Sequence, residues 1–282
     1  MMKRLLKGIG LVLGGLVALA IVAYGVVYVL SERTLRHVYA VPTVVISIPT
    51  DPASIVEGQR LATIRGCFGA CHGKHAEGAV MFDEPMIARV IAPNLTAAVR
   101  KYSAAELANI IRNGVRPGGQ SLMAMPASAF VGLTDADLSR IIAFLRSLPA
   151  LPGPTAVGSV GPLGRIGVAA GKFKTEAQLI AETVPPPAAS GEQAVFGRYL
   201  ARTICAHCHG TSLRGDSNPD FTSPSLQIVA AYTTDSFTRL LRTGVPLGGQ
   251  HLSTMGPWAK KLLSQLNDEE IAALYAYLHT IP

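Results

Sequence analysis

Residues 203–210 read "TICAHCHG". Cys205 and Cys208 stand two residues apart, and His209 follows at once. This C-x-x-C-H spacing is the run that attaches a c-type haem. The two thiols add to the haem vinyl groups, and the short tether sets the imidazole over the iron as proximal ligand. A second run, "RGCFGACHGK" (65–74), holds Cys67, Cys71 and His72, but three residues separate its cysteines instead of two. All four cysteines of the chain lie in these two runs. Phe68 stands where the first thiol is normally found. Two linkages are open: Cys67 reaches its vinyl through a one-residue bulge, or the haem hangs by Cys71 alone. The two-thioether bulge is the expectation.

A haem devoted to electron transfer needs a sixth ligand. Methionine is the usual one, and it raises the reduction potential. Met255 lies 46 residues after His209, in a Gly-rich loop before the last helix. Met125 lies 53 residues after His72, in a loop of the same kind. Met123 aligns with Ser253 and reads as packing. His251 is the alternative sixth ligand of the second site.

The surroundings of the two runs repeat. "NGVRPGGQSLMAM" (113–125) aligns without gaps to "TGVPLGGQHLSTM" (243–255), and "LTDADLSRIIAFLRSLP" (133–149) to "LNDEEIAALYAYLHTIP" (266–282). "YSAAELANIIRNG" (102–114) aligns to "YTTDSFTRLLRTG" (232–244), and "APNL" (92–95) to "SPSL" (223–226). Each copy therefore runs short helix, C…CH, long loop with proline, helix, Gly-rich loop with methionine, final helix. Thr134 and Asn267 suit the N-caps of the final helices, with acidic residues in the first turn. Leu138, Ile141, Ile142 and Leu145, like Ile271, Leu274, Tyr275 and Leu278, recur at helical spacing. Pro149 and Pro282 close the two helices.

Residues 150–190 carry Pro152, Pro154, Pro162 and the run Pro185-Pro186-Pro187. They read as a linker or strap, with one or two helical turns over 174–182. Residues 37–50 read as extended. The expected division is an anchor over 1–33, a connecting segment over 34–52, one domain over 53–149, the linker over 150–190 and a second domain over 191–282.

The anchor rests on "LLKGIGLVLGGLVALAIVAYGVVYVL" (5–30), apolar for 23 residues after Lys7. At 1.5 Å per residue such a run crosses a hydrocarbon core of about 30 Å. Lys3, Arg4 and Lys7 precede it, so the remainder of the chain belongs outside the cytoplasm. A cleaved signal peptide is the rival reading. Its apolar region would run about 7–15 residues before a small-residue cleavage site; here the run is longer, and Ser31-Glu32-Arg33 follows. Of the formal net charge of +7, residues 1–36 contribute +4, from five basic residues and one acid. Residues 190–282 hold seven basic and seven acidic groups. No clustered basic stripe of a nucleic-acid binder is present.

With these motifs in hand, the chain resembles a membrane-anchored dihaem cytochrome c. It is similar to the cytochrome c subunits of bacterial membrane-bound dehydrogenases and respiratory complexes. The likeness covers about 53–149 and 191–282 and rests on C-x-x-C-H-G, the "PNL" loop, the G-x-x-x-G-G-Q-x-L…M loop and the final helix. It implies an all-α fold: an N-terminal transmembrane helix, then two tandem class I-type cytochrome c domains, each wrapping one haem c. It implies His72 with Met125, and His209 with Met255, as axial ligands. It further implies that the carbonyls of Pro93 and Pro224 accept hydrogen bonds from the histidine nitrogens that do not face iron. The implied role is relay of single electrons between a dehydrogenase or respiratory complex and a cytochrome or terminal oxidase. The place is the outer, periplasmic face of a bacterial cytoplasmic membrane. The chain itself would not be an enzyme. A dihaem peroxidase is the alternative, and a haem relay fixed inside a larger complex is another; the Gly-rich anchor, with Gly10 and Gly14 in G-x-x-x-G spacing, suits the latter.

Blander readings stand beside these. A thioredoxin-like C-x-x-C pair needs a βαβ context, which is absent from the pattern. A zinc site is the other, but the two cysteine pairs lie 138 residues apart, one in each repeat, so each would need other ligands. Arg112 and Arg242 occupy matching places before the Gly-rich loops, either to pair with haem propionates or as solvated helix residues. Trp258, the only tryptophan, either packs on haem or bonds a propionate, or is ordinary core. His75 and His207 read as surface or supporting residues.

Overall fold

The computed structural model describes residues 2–154, 158–217 and 222–281. Pro282 lies outside them. The first helix, α1 (Met2–Leu35), continues past the apolar run because Glu32 and Arg36 form an i,i+4 ion pair across its last turn. Its apolar side chains are exposed along its length. The segment after it is extended and pinned to the first copy. Tyr39 N donates to Gly119 O at 2.8 Å, and Asn109 Nδ2 to Pro42 O at 2.9 Å.

The first copy opens with α2 (Pro52–Ile64), capped by Asp51, whose side chain accepts from Ser54 N, with proline in the first turn. After Cys71 and His72 the chain forms a hairpin, β1 (Ala79–Glu84) and β2 (Ala88–Ala92). Then come α3 (Leu95–Lys101), α4 (Ala104–Ala108) running into a π turn over Asn109–Asn113, α5 (Ala127–Phe130) and α6 (Asp135–Ser147). The intervening segment supplies β3 (Ser159–Val160), α7 (Pro162–Ala169) and α8 (Glu176–Glu182). The second copy comprises α9 (Glu192–Leu200), a π turn over Ala201–Cys205 and α10 (Ala206–His209). The pair β4 (Asp216–Ser217) and β5 (Thr222–Ser223) follows. A 3₁₀ segment (Leu226–Ala231) then leads to α11 (Thr234–Thr243), α12 (Met255–Lys261) and α13 (Asp268–Leu278).

The fold is thus mainly helical, with a short antiparallel sheet in each copy. The loop expected after the first C…CH run is a hairpin, and β3 adds a third antiparallel strand to it in the order β1-β2-β3. The stretch "AVMFDEPMIARVIA" (79–92) is rich in strand formers on either side of Glu84-Pro85, which turns the chain.

Each copy is framed by its first helix crossing its last, α2 on α6 and α9 on α13. A glycine sits at each crossing. A Cβ built at Gly58 would lie 2.0 Å from the Arg140 carbonyl oxygen, and one at Gly197 would lie 1.9 Å from that of Ala273. Only glycine lets the backbones approach this closely. The final helices begin as their caps dictate: Thr134 accepts from Asp137 N, and Asn267 forms a capping box with Glu270. Leu138, Ile141, Ile142 and Leu145 are buried, as are Ile271, Leu274 and Leu278. Tyr275 is only half-buried, whereas Tyr277 is enclosed, its hydroxyl donating to Pro187 O at 2.8 Å.

One apolar core runs through both copies, taking in Leu61 and Leu138 of the first with Leu200 and Leu274 of the second. Polar ties cross the same boundary. Buried Arg65 meets Asp137 at 3.0 Å and the hydroxyls of Tyr199 and Thr203 at 3.3 Å each. Tyr199 donates to Asp137 at 2.6 Å. Residues 150–190 strap the whole. Leu151 O accepts from Asn94, Glu176 accepts from Ser128 N beneath α5, and the carbonyls of Pro186 and Pro187 accept from Arg198.

Candidate haem-attachment sites

Each C…CH run leads into a loop of the same form. His209 is buried, and its Nδ1 lies 2.9 Å from Pro224 O. His72 is buried likewise, with Nδ1 2.8 Å from Pro93 O. In each case the ring donates Nδ1–H to a carbonyl, which leaves the lone pair on Nε2. Burial lowers the proton affinity of both rings, favouring the neutral form that binds a metal.

The chain then folds back by an identical device. Gly78 N donates to His72 O at 2.8 Å, and Gly215 N to His209 O at 2.9 Å. Both glycines have φ of 92°. A Cβ at Gly78 would meet Asn94 N at 2.8 Å, and one at Gly215 would meet the Pro224 carbonyl carbon at 3.0 Å. These glycines are therefore what allows each proline loop to close on its histidine. The signal was present in the sequence as H-G-x-x-x-x-G at 72–78 and 209–215, and motif reading passed over it. Ala76 (φ 67°) and Leu213 (φ 61°) complete the likeness, their carbonyls accepting from Leu95 N and Leu226 N.

The extra residue of the first run is absorbed locally. Cys205–His209 is helical, but between Cys67 and Cys71 the backbone passes through extended Phe68 (φ −111°, ψ 137°) and left-handed Gly69 (φ 80°). Phe68 turns onto α6, edge to face with Phe144 at 5.1 Å between centroids. All four cysteines are half-buried. Burial pushes Cys67 up to about 11, Cys205 to about 12 and Cys208 to about 11.

The two runs lie side by side. Trp258 of α12 covers Gly66, where an added Cβ would sit 3.2 Å from its ring, and its ring centroid is 5.6 Å from that of His207. The Cys71 thiol is near enough to that of Cys208 to raise it further. Met125, just before α5, and Met255, the first residue of α12, are half-buried against the core. Met123 is half-buried too, while His75 and His251 are exposed.

Arg112 and Arg242 are placed alike, each reaching the first residue of its copy's final helix. Arg112 meets Asp135 at 2.8 Å and Arg242 meets Asp268 at 2.7 Å. Arg242 also donates to Ser264 O and Leu266 O. Among the described residues, the Nε atoms of Arg65, Arg112 and Arg202 and the Nδ1 of His207 are buried without a partner. The donor chemistry thus suits haem c at both runs: paired thiols, a neutral imidazole with one nitrogen tied back, and, in the first copy, a buried guanidinium N–H free to meet an anionic oxygen.

A family model described as Cytochrome c matches residues 55–149 and 194–282. The chain is also similar to the fructose dehydrogenase cytochrome subunit of Gluconobacter japonicus. Identity is 24% over 272 residues, covering 83% of this chain and 55% of that protein. The chain therefore spans about half the length of that relative.

Proposed function

The chain belongs to the cytochrome c family, and from that premise we propose that it carries electrons through two haem c groups, one for each C…CH run. The observation that supports this most is the pair of matched histidines, each with Nδ1 held by a proline carbonyl in an identical glycine-closed loop.

In this reading Cys67 with Cys71, and Cys205 with Cys208, supply the thioethers. His72 and His209 would hold the iron through Nε2, and Met125 and Met255 would supply its further ligands. When bound, haem supplies a one-electron ferric–ferrous couple. The protein's contribution is to hold and tune it. The Pro93 and Pro224 carbonyls fix ring orientation and raise imidazole basicity. Thioether sulfur at Met125 and Met255 favours the reduced state. The shared apolar core keeps water from the iron sites, and Trp258 fills the space between them. Arg112 offers its buried Nε to a propionate.

The five-part division of the chain set out above is retained, with α1 as a single-pass anchor in a bacterial cytoplasmic membrane and both haem domains on the periplasmic side. The donor is a dehydrogenase or respiratory complex and the acceptor a cytochrome or terminal oxidase. The dehydrogenase named for the relative puts that class of donor first. The chain is an electron-transfer subunit and not the catalyst of a bond-making reaction.

The deciding experiment is the intact mass of the purified chain, paired with haem quantitation. Two haem additions on a chain that retains α1 support the reading. A single haem removes the first-run assignment. Rapid stoichiometric binding of carbon monoxide by one ferrous haem would favour a peroxidase instead.

A further inference from the structure

Helix α7, in the strap between the copies, is clamped to the end of α1. Arg165 lies over the Tyr28 ring at 4.3 Å, donates to Ser31 Oγ at 2.9 Å and pairs with Glu32 at 2.7 Å. Tyr28, Ser31 and Glu32 share one face of α1, spaced i, i+3 and i+4. The clamp therefore fixes α7 at the level where the 23-residue apolar run ends, at Leu30.

A second face of α7 has no partner among the described residues. Leu163 (52% exposed) and Ile166 stand on it, and Phe173 folds back against Gly167, where a Cβ would lie 2.5 Å from its ring. The β1–β2 turn joins them. Met86 O accepts from Leu163 N and Ile87 O from Gly161 N, both at 2.8 Å, and the side chains of Met86 and Ile87 are exposed. Five large apolar side chains thus form one patch beside the end of α1. Tyr24 and Tyr28 stand on α1 at the same end, as interfacial aromatics do. Exposed Lys172 directly precedes Phe173 in sequence, and exposed Arg33 and Arg36 stand at the end of α1, all suited to lipid phosphates.

We propose that α7 and the β1–β2 turn lie in the interfacial layer of the same bilayer that α1 crosses, with Leu163, Ile166, Phe173, Met86 and Ile87 among the upper acyl chains. Lipid is the occupant because the patch is continuous with a membrane-crossing helix and is held at that helix's water-facing end. Both haem domains are thereby docked in one orientation against the membrane instead of swinging on the connecting segment. The inference rests on α1 being retained as a membrane span.

The test uses the full haem-loaded chain in bilayer nanodiscs containing a phospholipid with a photoreactive diazirine near the top of one acyl chain. Cross-linked peptides are mapped by mass spectrometry. The expected result is cross-links in α1 and also in the peptides holding 85–87 and 162–173. Cross-links confined to α1 overturn the docking and leave the anchor standing; the patch is then free for a protein partner. Their absence from α1 as well overturns the anchor and the docking together. The Leu163→Ser/Ile166→Ser variant changes exposed side chains only, so haem content and α1 cross-links should persist while cross-links at 162–173 fall about fivefold or more. Undiminished cross-linking there in that variant also overturns the proposal.

Discussion

Arg60 and Glu270, 210 residues apart, meet in a two-pronged ion pair, Nη1 to Oε2 at 2.7 Å and Nη2 to Oε1 at 2.8 Å. The pair ties α2 of one repeat to α13 of the other. Glu270 is buried and also closes the capping box with Asn267, so one carboxylate serves a helix start and the interface together. Removing Glu270 takes away the cap of α13 and the inner counter-charge of Arg60, which keeps only Glu57 on its outer side. Glu270→Ala should therefore cost about 3 kcal/mol, read from urea unfolding at neutral pH. Glu270→Gln keeps a group able to cap and should cost less.

Glu57 sits on the outer side of the same arginine, at 2.7 Å. Its carboxyl is held below the usual glutamate value of 4.5, chiefly by the hydrogen bond from Arg60, with Arg140 of α6 and Arg65 adding to it. Glu270, across Arg60, is the acidic group that shares this cluster. The folded state thus prefers the carboxylate. Its contribution is complete above pH 4.5 and is lost as pH falls through the lowered folded value. Urea midpoints followed from about pH 5 down to about pH 3.5 should decline less steeply for Glu57→Gln than for the native chain.

Gly197→Ala places a methyl group where Ala273 O already is, and Gly58→Ala does the same at Arg140 O. Neither backbone can yield without parting the two helices that frame a copy. Each change should lower stability by about 3 kcal/mol or prevent folding of that copy. Gly69→Ala is the contrast. Nothing lies within 4 Å of its added methyl, and only its left-handed φ of 80° is at stake, a cost of about 1 kcal/mol. Thermal unfolding of the three variants should rank them in that order.

Much of this architecture was legible because its signals are local. C-x-x-C-H, the caps Thr134 and Asn267, and the spacing of Leu138, Ile141, Ile142 and Leu145 each declare themselves within a turn or two. The β1–β2 hairpin was legible too, in the strand formers that flank Glu84-Pro85, but its third strand was not, since β3 comes from residues 159–160, far from its partner. Gly58 and Gly197 read within their helices as mere weak points; their reason lies in a carbonyl some 80 residues on, 82 for Gly58 and 76 for Gly197. Tyr277 stands off the apolar stripe and is buried only because α9 and Pro187 cover it. The clamp of Arg165 on Tyr28 joins residues more than 130 apart, and no pattern in either segment announces it.

Met255→His and Met125→His test the sixth ligands one at a time. Imidazole stabilises ferric iron relative to thioether, so each change should lower one of two reduction potentials and leave the other close to its native value. Redox titration followed by visible absorbance resolves the two. The charge-transfer band of methionine-ligated ferric haem should fall by about half in either variant. A change in both potentials together, or in neither, would point away from these methionines.

The bulge at Cys67 gives the most specific expectation. The added residue does not push the run outward; Phe68 turns inward onto Phe144, and Cys71 N returns to Gly66 O at 3.0 Å, so that Cys67 remains beside Cys71 within the fold. Both thiols stay on hand for one haem. Cys67→Ala should therefore leave haem bound through Cys71 but with one vinyl group unreacted. The alkaline pyridine haemochrome band of half the haem should then move to longer wavelength. Phe68→Ala should retain both thioethers and lower stability by about 1–2 kcal/mol, since this half-buried ring vacates its contact on α6. An unshifted haemochrome in Cys67→Ala would mean that Cys71 alone carries the first haem, and that the bulge serves packing through Phe68 and not attachment.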